Sequence, residues 1–161
     1  MATTQFIVEP GTQQIEILRE FDAPPATVFR AHTDPELLVQ WLGPRRMRMT
    51  LERFEPRDGG TWHYTHHDAD GSAYGFHGVF HGTPSVEGIV QTFEFEGAPG
   101  HVSLERVTFE GRDGKTLLRV LDVFQSVADR DAVIASGMEG GYDESTARLD
   151  ELLARLAPAA R

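Results

Sequence analysis

Turn signals punctuate the middle of the chain at short, regular intervals: Asp58-Gly59-Gly60, Asp70-Gly71-Ser72, Pro84-Ser85, Gly97-Ala98-Pro99-Gly100 and Gly111-Arg112-Asp113-Gly114. Gly supplies positive φ, Asp hydrogen-bonds its own backbone, and Pro fixes φ, so each cluster reverses the chain. Between them lie β-rich runs: Met47 to Glu55, Thr61 to His67, Ala73 to Thr83, Gly88 to Glu96, His101 to Glu110 and Lys115 to Phe124. Successive strands joined by such short connections form an antiparallel meander. Most of these runs exceed the usual five or six residues, so the sheet is expected to twist and curve.

The flanks of the meander complete an α+β chain. Gln13 to Phe21 reads as a further strand, with Ile15, Ile17 and Phe21 on one parity. Pro24 and Pro25 suit the first turn of a short helix carrying Val28 and Phe29. Asp34 is a good N-cap for a second, with Pro35 at its first position and Leu37, Leu38 and Trp41 turned inward, before Gly43-Pro44 stops it. Beyond the last strand, Ser126 and Asp129 read as a capping box. Ile134, Met138, Tyr142, Ser145, Leu149, Leu152, Leu153 and Leu156 then recur at helical steps. Gly137, Gly140 and Gly141 interrupt this face, so a break is expected near Gly137, with the main helix from about Met138 to Leu156. The order is strand, two helices, six strands, long helix. Residues 1–161 are expected to form one domain with a core of about 13–156, leaving the first ten residues and Pro158 to Arg161 as loose tails.

The hairpin from Gly60 to Pro84 sorts by parity. Trp62, Tyr64, His66, Tyr74, Phe76, Gly78 and Phe80 fall on one face. Thr61, His63, Thr65, His67, Gly75, His77, Val79 and His81 fall on the other. One face is aromatic and the other polar, and the aromatic face is expected to look toward the long helix. The facing side of that helix offers Met138, Gly141, Tyr142 and Ser145, where a tight core would favour large aliphatic residues. Small and polar groups at that place leave volume and hydrogen-bonding handles, as ligand pockets do. A filled aromatic core fits the same pattern, and the residues alone leave the two open. If a cavity exists, its expected lining is Trp41, Trp62, Tyr64, His66, Phe76, Phe80, Phe93, Met138, Tyr142, Ser145 and Leu149.

Other chemistries find less support. The net charge of −10 opposes binding to a phosphate backbone, and the lone basic cluster, Arg45, Arg46 and Arg48, is small for that purpose. Without cysteine there is no disulfide framework, thiolate metal site or cysteine nucleophile. No apolar run approaches membrane-spanning length and no signal peptide is apparent, so a cytoplasmic location is expected. The seven histidines invite a metal, but His63 and His67, like His77 and His81, stand four apart on strands, about 13 Å from each other. Cross-strand pairing of His63 with His77 remains open, yet no motif with metal-ligand spacing is present, and no metal or cofactor is expected. No serine sits in a nucleophile elbow, so no catalytic residue is assigned. His66 and Tyr142 are the best titrating groups should a reaction occur, with His66 expected at a partly wet sheet edge near the Asp68 to Ser72 turn. Arg106 and Arg119 read as outward ion-pair partners of Glu94, Glu105 or Asp122, or else as inward anchors for a ligand carboxylate.

Several stretches together resemble one family. They are Trp41-Leu42-Gly43-Pro44, Gly59-Gly60-Thr61-Trp62, Ile89 to Gly97 followed by Pro99 to Leu104, Phe124 to Val127, Asp129-Arg130-Asp131, Ser136 to Glu139 and Arg148 to Leu153. In this order they resemble the SRPBCC, or START-like helix-grip, superfamily. Within it they are similar to proteins like the C-terminal domain of the activator of the heat-shock protein 90 ATPase. The resemblance spans roughly Gln13 to Leu156. It implies a seven-stranded curved antiparallel sheet gripping the C-terminal helix, with a ligand cavity between them. Many relatives carry a Trp near the position of Tyr142, so Tyr142 alters the shape and polarity implied for the pocket. The superfamily binds lipids, sterols, polyketides and hormones, and some members are cyclases or aromatases. The leading expectation is therefore a binding protein for a hydrophobic, ring-containing small molecule. Its rivals are a polyketide cyclase-like or hydrolase-like enzyme using the same cavity, and a co-chaperone module with a chaperone partner in a stress response. Known activators of that ATPase carry a separate N-terminal domain, which this chain lacks, so the small molecule is favoured over the chaperone.

Overall fold

A computed structural model describes residues 3–157. Eight strands form one antiparallel sheet: β1 (Gln5–Ile7), β2 (Gln14–Phe21), β3 (Arg48–Phe54), β4 (Thr61–His67), β5 (Ala73–Val79), β6 (Ile89–Phe95), β7 (Val102–Arg112) and β8 (Lys115–Val123). Their spatial order is β1-β2-β8-β7-β6-β5-β4-β3. The six strands of the meander run in sequence from β3 to β8, as the turn signals require, and β2 returns to pair with β8 over its full length. Helices α1 (Pro25–Thr33) and α2 (Pro35–Leu38) connect β2 to β3, and α3 (Val127–Ala135) and α4 (Met138–Leu156) close the chain. This is the α+β helix-grip architecture expected, with one strand more than the seven anticipated.

The extra strand is β1, which lies in the segment expected to be a loose tail. It pairs Gln5 to Ile7 against Leu18 to Glu16. Phe6 packs edge-on against Tyr142 of α4, with ring centroids 6.0 Å apart. Three residues are too few to show periodicity, so this strand carries no signal of its own. The tail expected over residues 158–161 lies outside the described residues.

The helix boundaries follow local chemistry. Asp34 accepts a hydrogen bond from the Glu36 N–H, and Ser126 Oγ accepts one from the Asp129 N–H, so both expected N-caps form. The chain breaks between α3 and α4 at Gly137, whose φ of 85° is the left-handed conformation that favours glycine.

Parity holds along β4. Trp62, Tyr64 and His66 are buried, and the alternate residues are not. Tyr74 departs from the expectation: it lies opposite His66 at the turn end of the β4–β5 hairpin and is 36% exposed. In β7 the pairing with β8 is continuous, so Ser103, Glu105, Val107 and Phe109 share the inner face while Leu104 is exposed. α1 approaches β7 and β8, with Phe29 edge-on to Phe109 at 5.6 Å. α4 packs its backbone most closely against α1 and α3, and Phe6 of β1 and Arg19 of β2 reach its Tyr142 and Asp150 through side chains. One end of the sheet is thus closed by α1, and the middle is spanned by a helix held at a distance.

Candidate functional site

Between the sheet and α4 lies a cavity of about 380 Å³. Its size falls within the range of small-molecule sites. Of the residues expected to line it, Trp41, Trp62, Tyr64, His66, Phe76, Phe80, Phe93, Met138, Tyr142 and Ser145 all face it. Leu149 does not. It lies one helical turn beyond Ser145, fully buried with Leu152 and Leu153, where the helix face has turned aliphatic and the core is filled.

One wall is a run of aromatic rings. Trp62 stacks on Tyr64 with centroids 5.1 Å apart and planes 18° apart. Phe76 lies 5.4 Å from both Tyr64 and Phe93, tilted in each case. The indole of Trp62 lies over Gly78, where an added Cβ would stand 2.6 Å from the ring. Glycine at 78 therefore gives the ring its place on β4.

The opposite side is held by a loop. Gly43, from the Trp-Leu-Gly-Pro turn, donates its N–H to Ser145 Oγ at 2.8 Å. Arg148 on α4 donates to the carbonyls of Gly43 and Gln40 at 2.8 and 2.9 Å. His66 is buried against Gly43 instead of lying wet at the sheet edge, because this loop folds over it. Burial, with smaller contributions from Arg148 and His67, lowers its pKa to about 4, so the ring is neutral at pH 7. His32, half-buried against Trp41 and Phe109, has its pKa lowered by desolvation to about 4, and its Nδ1 pairs with the Val28 carbonyl at 2.8 Å.

A polar belt crosses the apolar sheet face. Gln91, Glu105 and Asp122 stand in register on β6, β7 and β8, all facing the cavity. Gln91 Nε2 donates to Glu105 Oε1 at 2.7 Å. Burial raises the Glu105 pKa, and burial together with the adjoining Glu105 carboxyl holds Asp122 well above the usual carboxylate range. Burial likewise raises the Tyr142 phenol, with Glu105 and Asp122 adding to the effect, so it stays protonated. Three buried polar atoms on the cavity wall have no protein partner: Trp62 Nε1, His66 Nδ1 and Asp122 Oδ1.

Glu105 and Asp122 were expected to pair outward with Arg106 or Arg119. Instead Arg119 pairs with Glu16 on the outer face, and Arg106 is exposed. The inward parity of Val107 and Phe109 on β7, and of Leu118 and Val120 on β8, carries both acids into the cavity. His63 and His77 do stand opposite each other across β4 and β5, on the outer face, where both pair with Glu96. No group suited to holding a metal ion occurs among the described residues.

Residues 22–154 match the family described as "Activator of Hsp90 ATPase homolog 1-like protein". The chain belongs to this family. Among solved structures it is similar to a protein from Rhodobacter sphaeroides, 28% identical, with a TM-score of 0.86 covering 95% of this chain and 99% of that one. A protein from Arthrobacter aurescens is 25% identical, with a TM-score of 0.85 over 96% of this chain and 92% of the other. One from Mycobacterium smegmatis, 22% identical over 100% of both chains, shares the fold with a TM-score of 0.85. No curated protein matches the chain. No helix among the described residues is long and apolar enough to cross a membrane.

Family membership agrees with the helix-grip architecture and is compatible with ligand binding or a co-chaperone role. The acid pair is the part of the site that the resemblance did not supply.

Proposed function

We propose that the protein binds a hydrophobic, ring-containing small molecule in the cavity between the sheet and α4. The observation that carries this reading is an open volume of about 380 Å³ walled by stacked rings and edged by buried polar atoms without protein partners. A void serving packing alone would destabilise the fold by several kcal/mol, and its polar edges would add to the loss. A ligand relieves both costs by filling the volume and pairing the orphaned groups.

Gly141 provides the test. It lines the cavity from α4, and a Cβ built there meets no atom within 4 Å. Gly141→Leu would place a side chain in the volume a ligand needs while improving the helix by about 1 kcal/mol. Nile red, a neutral apolar dye that fluoresces on leaving water, should bind the wild type and lose about tenfold or more in affinity to the variant. The melting temperature should hold or rise. Equal dye affinity in a folded variant would place the binding site elsewhere.

A further inference from the structure

The polar belt says which kind of ring-containing molecule the cavity suits. Glu105 and Asp122 are opposite each other on neighbouring strands, and both line the same cavity. Among the described residues that line it there is no Lys or Arg, and the two histidines are both neutral at pH 7. Gln91 supplies one donor to Glu105, whereas Asp122 Oδ1, on a residue only 9% exposed, receives no N–H and has the Glu105 carboxyl as its polar neighbour. The well-buried cations Arg19 and Arg130 already have carboxylate partners, Arg19 bidentately in Asp150 at 3.2 and 2.7 Å and Arg130 in Asp131 at 2.8 Å. The acids therefore lack the counter-charge that buried carboxylates ordinarily have.

Two carboxyls this close do not both ionise readily, since the second charge is repelled by the first. Any negative charge the pair carries faces an apolar space. No Lys or Arg lines the cavity to neutralise it: Arg148, the cation beside His66, donates to the carbonyls of Gly43 and Gln40, and Trp62, Tyr64, Phe76 and Phe93 form the aromatic wall.

We propose that Glu105 and Asp122 anchor a protonated amine, so that the ligand is an apolar, ring-bearing molecule with a basic nitrogen. An alkylammonium carries up to three donors, enough to reach Asp122 Oδ1 and the Glu105 carboxyl together. Its charge supplies the missing counter-ion in a largely apolar site, where the attraction is screened less than in bulk water. Its rings lie against the aromatic wall, which also favours a cation near the faces of Trp62 and Tyr64. This assignment rests on the cavity being the binding site, as proposed above.

Three probes of one shape separate the two claims: 2-(aminomethyl)naphthalene, 2-naphthalenemethanol and 2-naphthoic acid, each titrated at pH 7.5 by displacement of Nile red and by calorimetry. The amine should bind the wild type about tenfold or more tighter than the alcohol, the acid weakest of the three. In Glu105→Gln/Asp122→Asn the ratio of amine to alcohol affinity should collapse toward one. Asp122→Asn alone should reduce that ratio, which keeps the test decisive if the double variant does not fold. Equal binding of alcohol and amine by the wild type, or a ratio unchanged in either variant, overturns the amine assignment and leaves the cavity reading standing. Failure of the dye and of all three probes to bind overturns both.

Discussion

The N–H of Gly43 is bonded to Ser145 Oγ at 2.8 Å, joining the loop before β3 to the middle of α4 across 102 positions of sequence. Gly43 has φ +102°, and a Cβ there would stand 2.3 Å from Cε1 of His66. One glycine thus touches the helix through its backbone and the sheet through its missing side chain. Gly43→Ala adds left-handed strain and a clash with a buried ring, and it should destabilise the protein by about 2–4 kcal/mol. Ser145→Ala removes the acceptor of a buried N–H and should cost about 1–3 kcal/mol. Urea denaturation with an unchanged m-value checks both, and a loss below about 0.5 kcal/mol in Gly43→Ala would show that the loop can move away from His66.

The same contact marks where sequence reasoning stops. The meander was legible because turn clusters and strand parity are local, and so was the aromatic row of β4. His66 departs from its expected wet edge because what buries it is Gly43, a neighbour in space from another part of the chain. Glu105 and Asp122 depart from the outward pairing expected of them for a different reason. Arg106 and Arg119 offered plausible surface partners, and local charge matching outweighed strand parity. Yet Val107, Phe109, Leu118 and Val120 already fixed the inner face, and the two acids share it. Leu149 shows the opposite error: a helical face read as uniform changes from cavity wall to filled core within one turn.

Gly140 is a control for the role of Gly141. A Cβ at Gly140 also meets nothing within 4 Å, but the residue is exposed and is not part of the cavity wall. Gly140→Ala should stabilise α4 by about 0.5–1 kcal/mol by removing backbone entropy from the unfolded chain. Thermal unfolding should show the gain and dye titration should show unchanged affinity. A loss of dye affinity in this variant would mean that the α3–α4 junction, and not the volume beside Gly141, governs binding.

Asp122→Asn should raise stability at pH 8. In the folded protein, burial and the Glu105 carboxyl keep Asp122 protonated well above the range of an exposed carboxylate. The unfolded chain releases that proton near its ordinary pKa. Stability from this group is therefore complete below about pH 4 and is lost as pH rises toward the folded value. Asparagine keeps the shape and does not ionise, so the gain should be about 1–3 kcal/mol at pH 8 and absent at pH 4. A variant less stable than wild type at pH 8 would show that the acid is compensated within the protein itself.

His32 and His66 act in the opposite direction. Both have folded pKa values near 4, against an ordinary value of 6.5, so the unfolded state takes up protons first as the solution is acidified. Their contribution is whole above about pH 6.5 and is lost as pH falls toward 4. The groups around His66 are Arg148 on α4, His67 on its own strand, the Tyr64 and Phe76 rings and the Gly43 loop, and none is a carboxylate that would welcome its charge. Its Nδ1 has no partner, so a phenyl ring in its place forfeits no hydrogen bond there. Between pH 7.5 and 4.5 the wild type should lose about 2–3 kcal/mol more than His66→Phe. Comparing the drop within each protein cancels any packing change the larger ring brings, and it cancels the opposing gain from Glu105 and Asp122, which both proteins share. Equal drops would mean that His66 becomes charged in the folded state as easily as in the unfolded chain, and the ring would then have to be reached by water through the cavity.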